Sequence, residues 1–342
     1  MNFKKMAVCV ALAALVPGFA AAQEVILKVA HFAPPTAPGH SKMIGAWCDK
    51  IEAASRGKMK CQIYPAMQLG GTPPQLLSQV RDGVADVVWT LPGYTPGRFP
   101  VSEVFELPFI TTTQEASSRA LWDFVAKNAM KEYAGLKPIA LWVPGPYALH
   151  TRDHDVKTLD DLKGRKIRTP SRLGTKLLDA LGATPVGMPV PQLPESLSKG
   201  VIDGTILPWE VVPAFKVHEL TSYSAELGGD HTMSTSTMMF VMNKKKYDSL
   251  PADLKKVIDD NSGREESAWF TAQLKMGDDA GRQATIKHGN NVTLIPAAEM
   301  AKWQAAAKPV TDEWIKDISS KGLKGQQLHD EAVALIDKYS AK

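Results

Sequence analysis

Apolar and polar positions along the chain fall into short runs that switch between strand-like and helix-like periods. Val25 to Ala33 is a nearly unbroken apolar run closed by Pro34-Pro35 and Pro38-Gly39, which predicts a buried strand and then a loop. The pattern predicts a helix from Ser41 to about Ala54, a strand that begins at Gln62-Ile63-Tyr64, and a turn at Leu69-Gly70-Gly71. Residues 91–100 hold too much Pro and Gly for regular structure, after which Ala116 to Glu132 reads as helix and Leu136 to Val143 as strand. Further on, Lys166-Ile167-Arg168 predicts a short strand, Ser171 to Leu181 a helix, and Met238 to Met242 another strand. Leu250-Pro251-Ala252-Asp253 then opens a long amphipathic helix toward Gly277 that carries Leu254, Val257, Ile258, Trp269 and Phe270. Strands that alternate with helices at this spacing predict an α/β fold with largely parallel sheets.

One stretch occurs twice. Pro74-Gln75-Leu76 to Gly83-Val84-Ala85-Asp86 returns 117 residues later as Pro191-Gln192-Leu193 to Gly200-Val201-Ile202-Asp203. Each copy starts on a proline suited to a helix start, leaves the helix at a glycine, and runs into an apolar stretch with a tryptophan, Trp89 or Trp209. Two readings stand: one βαβ unit used once per lobe, or a chance likeness of two ordinary helix ends. At Pro144-Gly145-Pro146 the chain changes character, as a crossover would. The expected architecture is a two-lobed clamshell with a ligand cleft between the lobes and a long helix spanning both. Lobe I is expected over 23–144 plus 233–272, and lobe II over 145–232 plus 273–342.

The N-terminus changes the picture next. Lys4-Lys5, the apolar run Met6 to Val16 and Ala20-Ala21-Ala22 read as a secretory signal peptide over 1–22, cut before Gln23. The apolar run is shorter than the roughly 20 residues of a spanning helix. Cys9 lacks a lipidation pattern before it, so an exported, soluble protein is expected. The remaining 320 residues carry 38 basic and 36 acidic side chains, a balance that gives no reason to expect nucleic acid. Their length suits two domains, and a monomer is expected. Cys48 and Cys61 flank a helix end, and in an oxidising compartment such a pair is expected to form a disulfide rather than bind metal.

Candidate chemistry centres on Leu159 to Pro170. Pro170 stops the strand that carries Arg168, and alternation puts Ile167 toward the core and Arg168 on the opposite side, at the strand's carboxyl end. In open α/β sheets that end lines the ligand crevice, where a guanidinium fork matches a carboxylate with two charge-assisted hydrogen bonds. The competing reading is a surface cation paired with a nearby acid. His150 and His154 have the spacing of a helical metal pair but lie on a predicted strand and turn, so no metal is expected there.

The order of these marks resembles a known family. A signal peptide, Tyr64-Pro65 with Gln68-Leu69-Gly70, Asp82-Gly83 with Asp86, Phe105-Glu106-Leu107-Pro108-Phe109, Asp161-Leu162-Lys163-Gly164 through Arg168, and Val201-Ile202-Asp203-Gly204 together resemble the substrate-binding proteins of tripartite ATP-independent periplasmic (TRAP) transporters, the C4-dicarboxylate and organic-acid-binding family. The resemblance implies a periplasmic two-lobed protein that closes on a small organic acid and delivers it to membrane permease subunits, with no cofactor. It also implies that Arg168 grips the ligand carboxylate. Two positions depart from the sialic-acid-binding members. Tyr147 stands where they have a second arginine after the glycine that opens the second lobe, and Leu207 stands where they have an asparagine before a proline. Ligand groups rich in hydroxyls would be left unpaired against such side chains. A monocarboxylate with an apolar or aromatic body is therefore expected, rather than a C4-dicarboxylate.

Trp89, Tyr94, Tyr147, Trp209, Leu207, Phe32, Val190 and Met188 are the candidate pocket walls, with the lobe cores as the competing location for Trp89 and Trp209. Met233, Met238 and Met239 either adapt to a ligand or pack the interior. Glu210 follows Trp209, and some keto-acid-binding relatives hold a cation with a carboxylate near such a tryptophan. An enzyme is not expected, because a secreted hydrolase would need a nucleophile beside a base, and the chain has no Gly-x-Ser-x-Gly, no His-Glu-x-x-His and no phosphate-cradling glycine loop. A binding protein for a sensor or an ABC system is the remaining alternative.

Overall fold

The computed structural model describes residues 24–341; the expected leader and its cut before Gln23 lie outside them. The strands are β1 Val25–His31, β2 Met59–Tyr64, β3 Val87–Thr90, β4 Leu136–Trp142, β5 Ala148–Thr151, β6 Lys166–Thr169, β7 Thr184–Gly187, β8 Gly204–Leu207, β9 Tyr223–Leu227, β10 Met238–Asn243 and β11 Asn291–Ile295. The helices are α1 Ala46–Ala54, α2 Leu76–Asp82, α3 Gln114–Asn128, α4 Arg172–Ala180, α5 Leu193–Ser198, α6 Val217–Leu220, α7 Lys244–Ser249, α8 Ala252–Asp260, α9 Arg264–Lys275, α10 Asp278–Lys287, α11 Ala297–Ser320 and α12 Gly325–Ser340.

Two sheets divide these strands, in the orders β2-β1-β3-β10-β4 and β11-β9-β5-β8-β6-β7. The chain passes from the first sheet to the second between β4 and β5, across Pro144-Gly145-Pro146, and returns with β10. Strands inside each βαβ unit pair in parallel, as β1 does with β3 and β6 with β8. The strands that follow a crossover pair antiparallel, β10 with β3 and β4, and β5 with β8 and β9, so the sheets are mixed rather than largely parallel. A strand arriving from the opposite lobe has no crossover helix to reverse its direction.

The repeat is structural. In each copy a short 3-10 turn leads into the helix, and Gly83 and Gly200 leave it in the left-handed region, at φ 82° and 69°, where a side chain would be strained. Asp86 then accepts the backbone N–H of Lys28 in β1, and Asp203 that of Lys166 in β6, both at 2.8 Å. Each lobe therefore pins its ligand-side strands with the same carboxylate clamp.

Local boundaries differ from the periodicity in four places. Gly39 to Gly45 is a π-helical turn that precedes α1, and β2 starts at Met59. The third helix stops at Asn128, with a 3-10 turn over Met130–Tyr133 beyond it. The long helix after Pro251 is two helices, α8 and α9, broken at Gly263, whose φ of 114° no helix accepts. The long element that joins the lobes is instead α11. Trp303 and Ala307 on it sit in the buried cluster of Ile167, Leu177 and Ile206, while Val310, Trp314 and Ile318 sit in the cluster built around the first sheet. Cys48 on α1 and Cys61 on β2 are joined as a disulfide.

Candidate functional site

Arg168 is placed by the strand that carries it. Ile167 points into the second core with no exposed surface, and Arg168 points the other way, yet only 1% of its surface meets solvent. Its Nε donates to the carbonyl oxygen of Met188 at 2.9 Å. Nη2 is buried without a partner among the described residues, and no acid forms an ion pair with this guanidinium there. Burial holds its pKa below the ordinary arginine value, opposed by the nearby hydroxyls of Tyr94 and Tyr147. A buried cation with free N–H groups is costly unless an anion arrives from outside the chain.

The space in front of Arg168 is small. The cavity volume is about 40 Å³, a few times the roughly 10–15 Å³ that one water needs. Phe32, Trp89 and Tyr94 line it from the first lobe, and Tyr147, Val190 and Leu207 from the second. Phe32 lies 4.8 Å from the Trp89 ring centroid and meets Tyr94 edge-on at 5.7 Å, giving an aromatic wall on one side. Tyr94 Oη accepts the backbone N–H of Val190 at 3.1 Å, a bond that joins the two lobes across the cleft. Burial raises the pKa of both tyrosines, so each keeps its hydroxyl proton beside Arg168.

Two predicted positions lie elsewhere. The Trp209 ring stands T-shaped against His150 at 4.8 Å and donates Nε1–H to Glu226 at 3.0 Å, so it belongs to the lobe interior. Met188 takes part through its backbone carbonyl, with its side chain outside this lining. Met238 reaches the cavity, whereas Met233 and Met239 are core residues. Periodicity missed Pro38, Gly39, Phe215 and Leu274 in the lining. Gly39 is glycine for a packing reason that the sequence does not display, since a Cβ there would lie 2.5 Å from the Trp89 ring.

His150 is fully buried, with Nδ1 2.9 Å from Ser224 Oγ and Nε2 3.2 Å from the carbonyl oxygen of Leu207. It supports the floor of the site. Glu210 lines the cavity itself. Beside it Asp278, the first residue of α10, accepts the Glu210 backbone N–H at 3.2 Å and Gln114 Nε2–H at 2.9 Å. Burial and the neighbouring Asp278 push the Glu210 pKa well above the usual carboxylate range, so Glu210 is the neutral member of the pair. Among the described residues no helix is long and apolar enough to cross a membrane.

This chain is 47% identical to a TRAP solute-binding protein from Rhodoferax ferrireducens whose structure holds copurified benzoate; the match covers 93% of this chain and 99% of that one, with a TM-score of 0.92. A marine metagenome TRAP protein specific for aromatic acid ligands, solved with 3-hydroxybenzoate, is 43% identical over 93% and 99% of the two chains, with a TM-score of 0.91. Among curated proteins, the outer membrane transporter protein TsaT of Comamonas testosteroni is 27% identical over 96% of this chain and 97% of its own length. The model of the bacterial extracellular solute-binding proteins, family 7, matches residues 29–317. With the two-sheet fold and the buried arginine in its cleft, the chain belongs to that family and is a periplasmic solute-binding protein of the TRAP transporters.

Proposed function

We propose that this protein captures an aromatic monocarboxylate in its cleft and releases it unchanged to TRAP permease subunits. The observation that carries this reading is the buried Nη2 of Arg168, unpartnered at one end of a cavity whose other walls are largely aromatic and aliphatic. A carboxylate supplies the missing anion and satisfies the guanidinium with charge-assisted hydrogen bonds. Phe32, Trp89 and Leu207 offer apolar and aromatic surface to a flat ring. The benzoate held by the Rhodoferax relative supports the same class. A second carboxylate, as in succinate or malate, would face Leu207 and Phe32 unpaired. Neither capture nor release needs a nucleophile and base, and the groups around the cavity suit grip rather than bond cleavage.

Thermal denaturation with and without ligand tests the reading. Benzoate at about a hundred times its Kd adds roughly 2.7 kcal/mol of stability to a protein that binds it. Succinate and malate are expected to add far less, and Arg168→Ala is expected to abolish the benzoate effect. Stronger stabilisation by the dicarboxylates, or undiminished stabilisation of Arg168→Ala by benzoate, would overturn it.

A further inference from the structure

Glu210 is the one acid among the described residues that line the cavity, and gripping a monocarboxylate at Arg168 gives it no task. Its surface is 4% exposed, and Oε2 is buried without a partner among the described residues. The backbone places it rigidly, because Glu210 N–H is anchored on Asp278 and a Cβ at Gly277 would come within 2.9 Å of the Glu210 Cβ. Asp278 is occupied from the other side by Gln114, at the start of α3 in the first lobe. Two carboxyls packed together in this way cannot both ionise. Burial and Asp278 raise the Glu210 pKa well above the usual carboxylate range, so Glu210 is the neutral acid and one of its oxygens carries the proton. The other oxygen of the neutral acid remains a bare acceptor in an otherwise apolar wall, opposite in character to the donors on Arg168.

We infer that Glu210 accepts a hydrogen bond from a hydroxyl on the ligand ring, so that the preferred ligand is a hydroxylated aromatic monocarboxylate rather than its unsubstituted parent. This rests on the aromatic monocarboxylate reading of the same cavity. The site then reads both ends of the molecule: donors on Arg168 take the carboxylate, and an acceptor on Glu210 takes the ring hydroxyl. An unsubstituted ring leaves that acceptor buried and unpaired, which is where discrimination arises. The Asp278 contact matters because it holds the proton on the side away from the cavity, leaving acceptor character toward the ligand.

Calorimetric titration of benzoate and of 2-, 3- and 4-hydroxybenzoate into the wild-type protein, Glu210→Leu and Glu210→Gln tests this. At least one hydroxy isomer is expected to bind the wild type about tenfold more tightly than benzoate, the factor that one satisfied buried acceptor supplies. That ratio is expected to fall to about one in Glu210→Leu and to persist in Glu210→Gln, whose amide donates to Asp278 while its oxygen faces the ligand. Methylation of the ring oxygen of the preferred isomer is expected to remove the preference in the wild type, a result that does not depend on any variant folding. Benzoate binding as tightly as every hydroxy isomer, a preference that survives Glu210→Leu, or full affinity of the methyl ether would each overturn the assignment. The broader reading fails separately, if benzoate does not bind the wild type or binds Arg168→Ala equally well.

Discussion

Arg168 donates its Nε–H to the carbonyl oxygen of Met188 at 2.9 Å, and that bond fixes which edge of the guanidinium faces the cavity. With Nε occupied, Nη2 is left to meet a ligand, and the plane of the fork is set before any ligand arrives. A lysine keeps the charge but has neither the Nε–H that reaches Met188 nor the planar fork. Arg168→Lys is therefore expected to weaken benzoate binding by about tenfold to a hundredfold, the loss of one or two charge-assisted bonds. Titration calorimetry measures it, and an affinity within about threefold of wild type would show that charge alone holds the ligand.

A glycine lies where the two lobes approach each other closely beside the cleft. A Cβ at Gly93, on the turn after β3 in the first lobe, would lie 2.7 Å from the Cβ of Ser171 and 3.3 Å from the carbonyl oxygen of Pro170, both in the second. These contacts form only when the lobes meet. Gly93→Ala is expected to disfavour the closed form and lower ligand affinity about tenfold or more. Chemical denaturation without ligand should change little, by about 0.5 kcal/mol or less, because the added methyl meets the other lobe rather than its own core. Unchanged affinity would show that the approach of Gly93 to Ser171 is not needed for binding.

Much of this arrangement was legible because it is local. Pro and Gly at fixed offsets in the repeat announce a helix start and a helix exit, whereas the clamps that Asp86 and Asp203 make on Lys28 and Lys166 span 58 and 37 residues and were not readable there. Strand alternation likewise separated Ile167 from Arg168. Other features depend on tertiary packing. Trp89 and Trp209 both follow a repeat copy but at different offsets, 3 and 6 residues after its Asp. Trp89 therefore lies within β3 and faces the cavity, while Trp209 lies beyond β8 and turns to His150 and Glu226. Glu210 and Asp278 lie 68 residues apart and meet only through the packing of α10 on the turn at Trp209. The break at Gly263 interrupts a periodic apolar pattern that continues on both sides, so periodicity alone reads one helix there.

The disulfide ties α1 to β2, the edge strand of the first sheet, across a separation of 13 residues. Closing a loop of this size restricts the unfolded chain by about 3 kcal/mol. Replacing both cysteines with serine is expected to lower unfolding stability by about 2–3 kcal/mol, read from the urea midpoint at unchanged slope. In the exported wild type, mass spectrometry without reductant should find Cys48 and Cys61 linked. Two alkylatable thiols in the folded protein would refute the pairing.

His150 gives the lobe a pH response of definite sign. Burial lowers its pKa from 6.5 to about 4, because the neutral ring between Ser224 and the Leu207 carbonyl cannot be charged cheaply. Between those values the unfolded chain binds more protons than the folded one. The stability owed to the neutral ring is thus fully present above pH 6.5 and is lost as pH falls toward 4, at up to about 1.4 kcal/mol per pH unit. Glu106 acts oppositely: burial raises its pKa to about 7, so its burden on the fold eases as pH falls. His31, whose pKa burial lowers to about 3, acts in the same direction as His150. A comparison with His150→Gln cancels both, since the variant keeps Glu106 and His31 and its amide can bridge the same two partners without titrating. The stability advantage of wild type over His150→Gln is expected to shrink by about 2–3 kcal/mol from pH 6.5 to 4 in urea denaturation. An advantage that stays constant with pH would mean that the buried ring takes up its proton as readily as an exposed one.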